Sequence, residues 1–105
     1  MQTQVSILHQ DYPAPVRDEI RTRLEHLIKF YDRIVTSRAL VEKQRQDHRV
    51  EIVCNVGNGA VLVVDARGEV FSSARDRAFD RMTALLKRHN QKLIDLRRRS
   101  GRAAG

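Results

Sequence analysis

The sequence predicts an α+β domain of element order β-α-β-β-β-α, with a four-stranded sheet carrying two helices on one face. Two observations lead there. Segments 16–31 and 71–96 repeat apolar residues at helical spacing along a single arc, so each needs a surface to cover it. Between them, three alternating segments joined by polar or glycine-rich turns read as an antiparallel meander, and a fourth alternating segment opens the chain. One sheet face buried under both arcs satisfies all of this together.

The first strand is Gln2 to Leu8, with Val5 and Ile7 on one side. Asp11-Tyr12-Pro13-Ala14-Pro15 breaks it, and Pro15 suits the first turn of a helix, where a missing N–H costs nothing. From there Val16, Ile20, Leu24, Leu27, Ile28 and Tyr31 fill an arc about 120° wide. Arg38 to Lys43 alternates again, with Ala39 and Val41 against Leu40 and Glu42. The wholly polar run 44–49 reads as an exposed connection. Val50, Ile52, Cys54 and Val56 then share one strand face. Gly57-Asn58-Gly59 follows as a tight hairpin turn, since glycine and asparagine accept positive φ. Ala60 to Arg67 returns, and Gly68 ends the pattern. In the second helix Phe71, Ala74, Ala78, Phe79, Met82, Leu85, Leu86, Leu93 and Leu96 share an arc. Arg75 falls inside that arc and must snorkel, unless the helix begins later. The domain is expected to end near residue 96, with residues 97–105 a basic, disordered tail.

The chain has 105 residues and a net charge of +7. Residues 75–105 hold ten Lys+Arg against three Asp+Glu, whereas residues 1–74 are balanced. A localised basic element is the footprint of a polyanion. One cysteine excludes an intrachain disulfide, and no Cys/His spacing suits zinc. Cys54 reads as a small buried hydrophobe and His89 as a partly buried histidine. Ser72, Ser73 and Asp65 have no partners that would make a nucleophile or an acid–base pair. No signal-like or membrane-spanning segment is present. The expectation is a cytoplasmic protein that is not an enzyme, with no cofactor, no metal, no membrane and no small-molecule substrate.

On a helical wheel Arg77, Arg81, Arg88, Lys92 and Arg99 fall between about 240° and 300° from Phe71. They form a stripe about 33 Å long beside the buried arc. Ordinary helix solvation would interleave acids, yet only Asp95 lies in this arc. On the first helix, Arg23, His26, Lys29 and Arg33 share a flank that could face the same cleft. The strands carry no aromatic platform for stacking bases. RNA-binding candidates are therefore Arg23, Lys29, Arg33, Arg77, Arg81, Arg88, Lys92 and Arg99.

Several segments resemble the ribosome hibernation promoting factors and ribosome-associated inhibitor proteins (the sigma-54 modulation protein family). These are Phe30-Tyr31-Asp32-Arg33-Ile34, Ala74-Arg75-Asp76 and Lys87-Arg88-His89-Asn90-Gln91-Lys92-Leu93, with Asp47-His48-Arg49 where the family often has a similar loop. The resemblance follows the same element order over nearly the whole chain and is to a short form, without the C-terminal domain of long members. It implies a fold similar to double-stranded-RNA-binding domains. It also implies binding to the small ribosomal subunit and its ribosomal RNA, in the channel for messenger and transfer RNA. By matched position it implies contacts from Arg23, Arg33, Arg81, Arg88 and Lys92. His26 and Asn90 stand where the family often has lysine. Val70-Phe71-Ser72 replaces the family's frequent Asp-Met-Tyr, so no tyrosine contact carries over. Two other functions remain open: a general double-stranded nucleic-acid binder, and a small protein-binding regulatory module.

Overall fold

The computed structural model describes residues 1–8 and 12–104, with side chains as far as Arg99. His9, Asp11 and Gly105 lie outside the described residues. The elements are β1 (Gln2–Leu8), α1 (Pro15–His26), a 3-10 turn (Leu27–Lys29), β2 (Thr36–Gln44), β3 (Asp47–Gly57), β4 (Ala60–Gly68) and α2 (Phe71–Ala104). The sheet order is β1-β2-β3-β4. β1 runs parallel to β2 through the α1 crossover, and the other pairs are antiparallel.

Register explains why both helices sit on one face, as the sequence predicts. Val5, Ala39, Ile52 and Val64 are successive cross-strand partners, and so are Ile7, Val41, Val50 and Ala66. Side chains alternate across a strand, so both rows project to the same side. That side meets Val16, Ile20 and Leu24 of α1 and Ala74, Ala78, Phe79, Met82 and Leu86 of α2 in one core. Ala74 and Ala78 let the α2 backbone come close to β4. A Cβ added at Gly68 would stand 3.1 Å from the Ala74 nitrogen, which leaves that position to glycine.

Four details complete the sequence-based expectations: three depart from them, and the third decides between two outcomes that the sequence left open. First, the α1 helix ends at His26, and the Phe30 N–H bonds to the Leu27 carbonyl in a 3-10 turn. The tighter turn advances more degrees per residue and leaves Ile28 46% exposed, while Leu27 and Tyr31 stay buried. Second, the polar run 44–49 is mostly strand. The antiparallel ladder pairs Glu42 with Arg49, Lys43 with His48 and Gln44 with Asp47, and Arg45 turns the chain at φ 56°. Polar residues are tolerated because half of each strand faces solvent.

Third, Arg75 does lie within α2, and its guanidinium reaches out to Glu19 on α1 and to Asp76. Fourth, α2 does not stop at Leu96 but continues to Ala104 across most of the expected disordered tail. Its 34 residues make a rod about 51 Å long, which accounts for most of the 58 Å long axis. Buried side chains cease after Leu86, and Leu96 is 55% exposed. The last turns therefore overhang the sheet. Arginines near a helix C-terminus favour this extension by facing its partial negative charge.

The glycine turn is as the sequence predicts. Gly57, Asn58 and Gly59 have φ of 85°, 55° and 76°, and the Gly57 N–H donates to the Asn55 side-chain oxygen at 2.9 Å. At the other end of the sheet, the Tyr12 hydroxyl hydrogen-bonds His48 Nδ1 at 2.6 Å, and the Tyr12 ring lies 5.2 Å from that of Phe71. This cluster ties the start of α2 to the approach to α1.

Cys54 stands between Ser37 and Leu62 in register, fully buried. Burial pushes its thiol up to about 12. Maleimide should thus label Cys54 only on unfolding, since the thiolate is the reactive species. Cys54→Ser should lower stability by about 1–3 kcal/mol, the cost of an unpartnered buried hydroxyl. Denaturant titration and a labelling time course check both expectations.

Candidate RNA-binding surface

The stripe on α2 divides into two parts with different surroundings. Arg77 Nη1 donates to the Arg67 carbonyl at 2.9 Å, and Arg81 Nη1 donates to the Asp65 carbonyl at 2.8 Å. Both acceptors belong to β4, whose outer edge has no strand neighbour. These guanidiniums cap edge carbonyls that would otherwise invite another strand. Arg88, Lys92 and Arg99 are exposed and form no side-chain hydrogen bond or ion pair among the described residues. Asp95, the acid in their arc, accepts from the Gln91 amide at 3.1 Å instead.

Arg23 lies elsewhere. Its Nη1 pairs with Asp76 Oδ1 at 2.7 Å, and its guanidinium covers the Phe79 ring at 4.4 Å. It belongs to the seam between α1 and α2, whereas Arg77 and Arg81 lie along β4. Hence the first-helix candidates and the stripe do not face one cleft: α2 stands between them. The first-helix flank is itself divided. Arg23 and His26 line the seam, whereas Arg33 lines a groove with Arg97 at the end of the sheet. The 3-10 turn causes the split, because it breaks the 100° spacing on which the wheel relies. Lys29 and Arg33 are exposed and, among the described residues, have no hydrogen-bond or ionic partner.

The open face of the sheet does not compete as an anion surface. Arg38, Arg49 and Arg67 project there with Glu42, Glu51 and Asp65, which balances the charge. Arg49 is held by all three acids, with contacts of 3.3 Å to Glu42 and 2.8 Å to Glu51 and Asp65. The unbalanced positive charge is left to the helical side and the α2 overhang.

Two further basic residues lie off the stripe, as the helical wheel places them. Lys87 Nζ sits 5.2 Å from the Phe30 ring centroid, across the helix seam. Arg97 lies at about 80° on the wheel, well off the stripe. Only the proximity of Arg33, which no spacing rule conveys, marks it. Among the described residues no group of three or more His, Cys, Asp or Glu comes together as a metal site. No helix among them is long and apolar enough to cross a membrane.

This combination defines a small α+β module with one bare sheet face, two helices on the other, and a projecting basic helix end. The chain belongs to the Sigma 54 modulation protein / S30EA ribosomal protein family, whose model matches residues 3–94. It is 26% identical over 92 residues to the ribosome hibernation promoting factor of Pseudomonas putida, covering 88% of this chain and 89% of that one. The same identity over 95 residues relates it to the ribosome hibernation promoting factor of Azotobacter vinelandii, covering 90% and 88%. In fold it is similar to the Thermus thermophilus Protein Y N-terminal domain, with TM-score 0.73, 21% identity, and coverage of 85% and 99%. It is also similar to a ribosomal subunit interface protein from Coxiella burnetii, with TM-score 0.75, 13% identity, and coverage of 87% and 99%.

Two predictions follow from the cation geometry. Hydrogen bonds from Arg75 first, and then Arg23, hold the Asp76 carboxyl below its ordinary value of 3.8. A depressed acid stabilises the fold above its unfolded value and loses that contribution as pH falls through the folded one. Asp76→Asn should therefore flatten the decline in thermal stability below about pH 4, as read by melting temperature against pH. The effect should be small, since the pair is partly solvated. Separately, replacing Arg77 and Arg81 together with alanine should uncover the β4 edge and promote self-association. Sedimentation velocity at increasing protein concentration reads this out, and an unchanged monomer would show that the caps do not protect the edge.

Proposed function

We propose that this protein is a cytoplasmic, ribosome-associated translation inhibitor of the hibernation type. In this reading it binds the small ribosomal subunit and occludes the channel for messenger and transfer RNA, with residues 1–96 as the binding domain. The role demands no catalysis. It needs a rigid body of suitable shape whose cations meet ribosomal RNA phosphates. The observation that carries the reading is the row of unpartnered cations Arg88, Lys92 and Arg99, carried where α2 runs on past its last buried residue, Leu86. Membership of a family whose relatives are named ribosome hibernation promoting factors supports a ribosomal partner. Lys29 and Arg33 add two more cations, while Arg77, Arg81 and Arg23 keep donors to spare beyond their structural bonds.

Each phosphate neutralised releases condensed counterions, and log affinity falls against log salt by about 0.7–0.9 per contact. Five free cations would give a slope of roughly −3.5 to −4.5. Alanine at Arg88, Lys92 and Arg99 should flatten it by about two to three units. Alanine at Arg77 and Arg81 should flatten it less. Folding should survive the triple change, because alanine favours helix and none of the three side chains is packed. Pelleting with small subunits across a salt series, with circular dichroism as control, makes the measurement. An unchanged slope would remove the physical basis of the proposal. Equal affinity for any RNA duplex would replace it with a general double-stranded nucleic-acid binder.

A further inference from the structure

The overhang of α2 is not amphipathic. Arg97, Arg98 and Arg99 follow one another at 100° steps and are all exposed, so cations point away from the rod on three sides. A helix lying on a polyanion needs charge on one side only. Charge all round suits an end inserted between segments of polyanion. These residues also lie beyond the 3–94 family match.

On the side facing the sheet, the overhang and the β3–β4 turn flank an open groove of about 510 Å³. Arg33 and Arg97 line it, together with Leu93, Leu96 and the turn residues Gly57 and Asn58. No carboxylate lines it, and neither arginine has a hydrogen-bond or ionic partner among the described residues. Leu96 continues the apolar arc of α2 past the end of the core, so nothing covers it. Asn58 adds a side-chain amide, which offers two donors and an acceptor.

We propose that this groove is a subsite for one unpaired nucleotide of RNA, with its phosphate held by Arg33 and Arg97 and its base against Leu93 and Leu96. The inference rests on the reading that the helical side of the protein meets RNA, and it names a contact that the α2 stripe does not make. A bare phosphate would use the guanidiniums and leave the leucines wet. An apolar peptide would cover the leucines and leave two guanidiniums unpaired. A nucleotide satisfies both. The open groove has room for one nucleotide of a longer strand. A paired base is ruled out, because its faces are already stacked in the duplex and only a splayed-out base offers one. Arginine forks match phosphate oxygens two at a time, so a pair of them holds the group in one orientation.

The test titrates the full chain with adenosine monophosphate, with inorganic phosphate and with adenosine, following backbone amides by NMR. Saturable shifts centred on Gly57, Asn58, Leu96 and Arg97 are expected for the monophosphate. Phosphate and adenosine should each bind at least about tenfold more weakly, as the loss of a charged hydrogen-bonded contact implies. Arg97→Ala should weaken the monophosphate about tenfold without changing the helical signal, and Arg97→Lys should restore it only in part. Shifts spread over Arg88, Lys92 and Arg99, or an Arg97→Ala titration equal to wild type, would overturn the subsite in favour of general phosphate attraction. A dimer that forms with rising concentration and protects Leu96 would overturn it in favour of a second copy of the chain. Pelleting wild type and Arg97→Ala with small subunits keeps the two proposals apart. If wild type fails to pellet, the ribosome reading falls and the nucleotide titration still decides the groove.

Discussion

The close approach of α2 to β3 and β4 is the constraint on which the rest depends. Ala74 and Ala78 are fully buried against the sheet, and Gly68 leaves room for the Ala74 nitrogen as the chain passes from strand to helix. The helix axis is thereby fixed next to the sheet edge. Arg77 and Arg81 then come within reach of β4 carbonyls, Arg75 reaches α1, and Leu86 completes the core one turn further on. A bulkier residue at either alanine would lift the rod, and these contacts would move together. Cavities and overpacking in such a dense interior are felt across it because side chains interdigitate.

The same constraint sorts the charges. A helix held at one edge has one flank against strand backbone and the other against a neighbouring helix, so cations near its start are drawn into structural bonds. Arg88, Lys92 and Arg99, further along, have no such partners among the described residues. The division between them and Arg77 and Arg81 follows from which strand carbonyls are in reach, not from the residues' places on the wheel. Arginine suits the bonded positions, since its several donors serve a carbonyl without exhausting its charge.

Much of the fold was legible because burial here obeys simple periods. Val50, Ile52, Cys54 and Val56 alternate, Val16, Ile20 and Leu24 recur every fourth residue, and Gly57-Asn58-Gly59 adopts the positive φ that its residues allow. The start of α1 at Pro15 and of α2 at Phe71 fell where the pattern changes. What was not legible lay where polar residues are structural. Gln44 and Asp47–Arg49 belong to strands whose open face needs no apolar side chains. Residues 97–104 are helical without any apolar arc to announce it. The wheel found the stripe but not its division, because it contains no neighbouring elements. It also joined Arg23 to Arg33 across a turn whose 3-10 geometry the apolar pattern does not reveal.

The parallel pairing of β1 with β2 has a consequence for the order in which the chain assembles. β2, β3 and β4 are joined by two short turns and gather by contacts near in sequence, whereas β1 has only β2 beside it and reaches it across the α1 crossover. Local contacts form sooner than those that must close a long loop. During synthesis β1 emerges first, yet each of its partners follows 34 residues later, from Thr36 for Gln2 to Glu42 for Leu8. The first strand to leave the exit tunnel thus waits longer for its partner than any other strand of the sheet. Until then the inner side of β2 and β3 carries only part of its cover, and the newborn chain depends on its charged residues to stay dispersed.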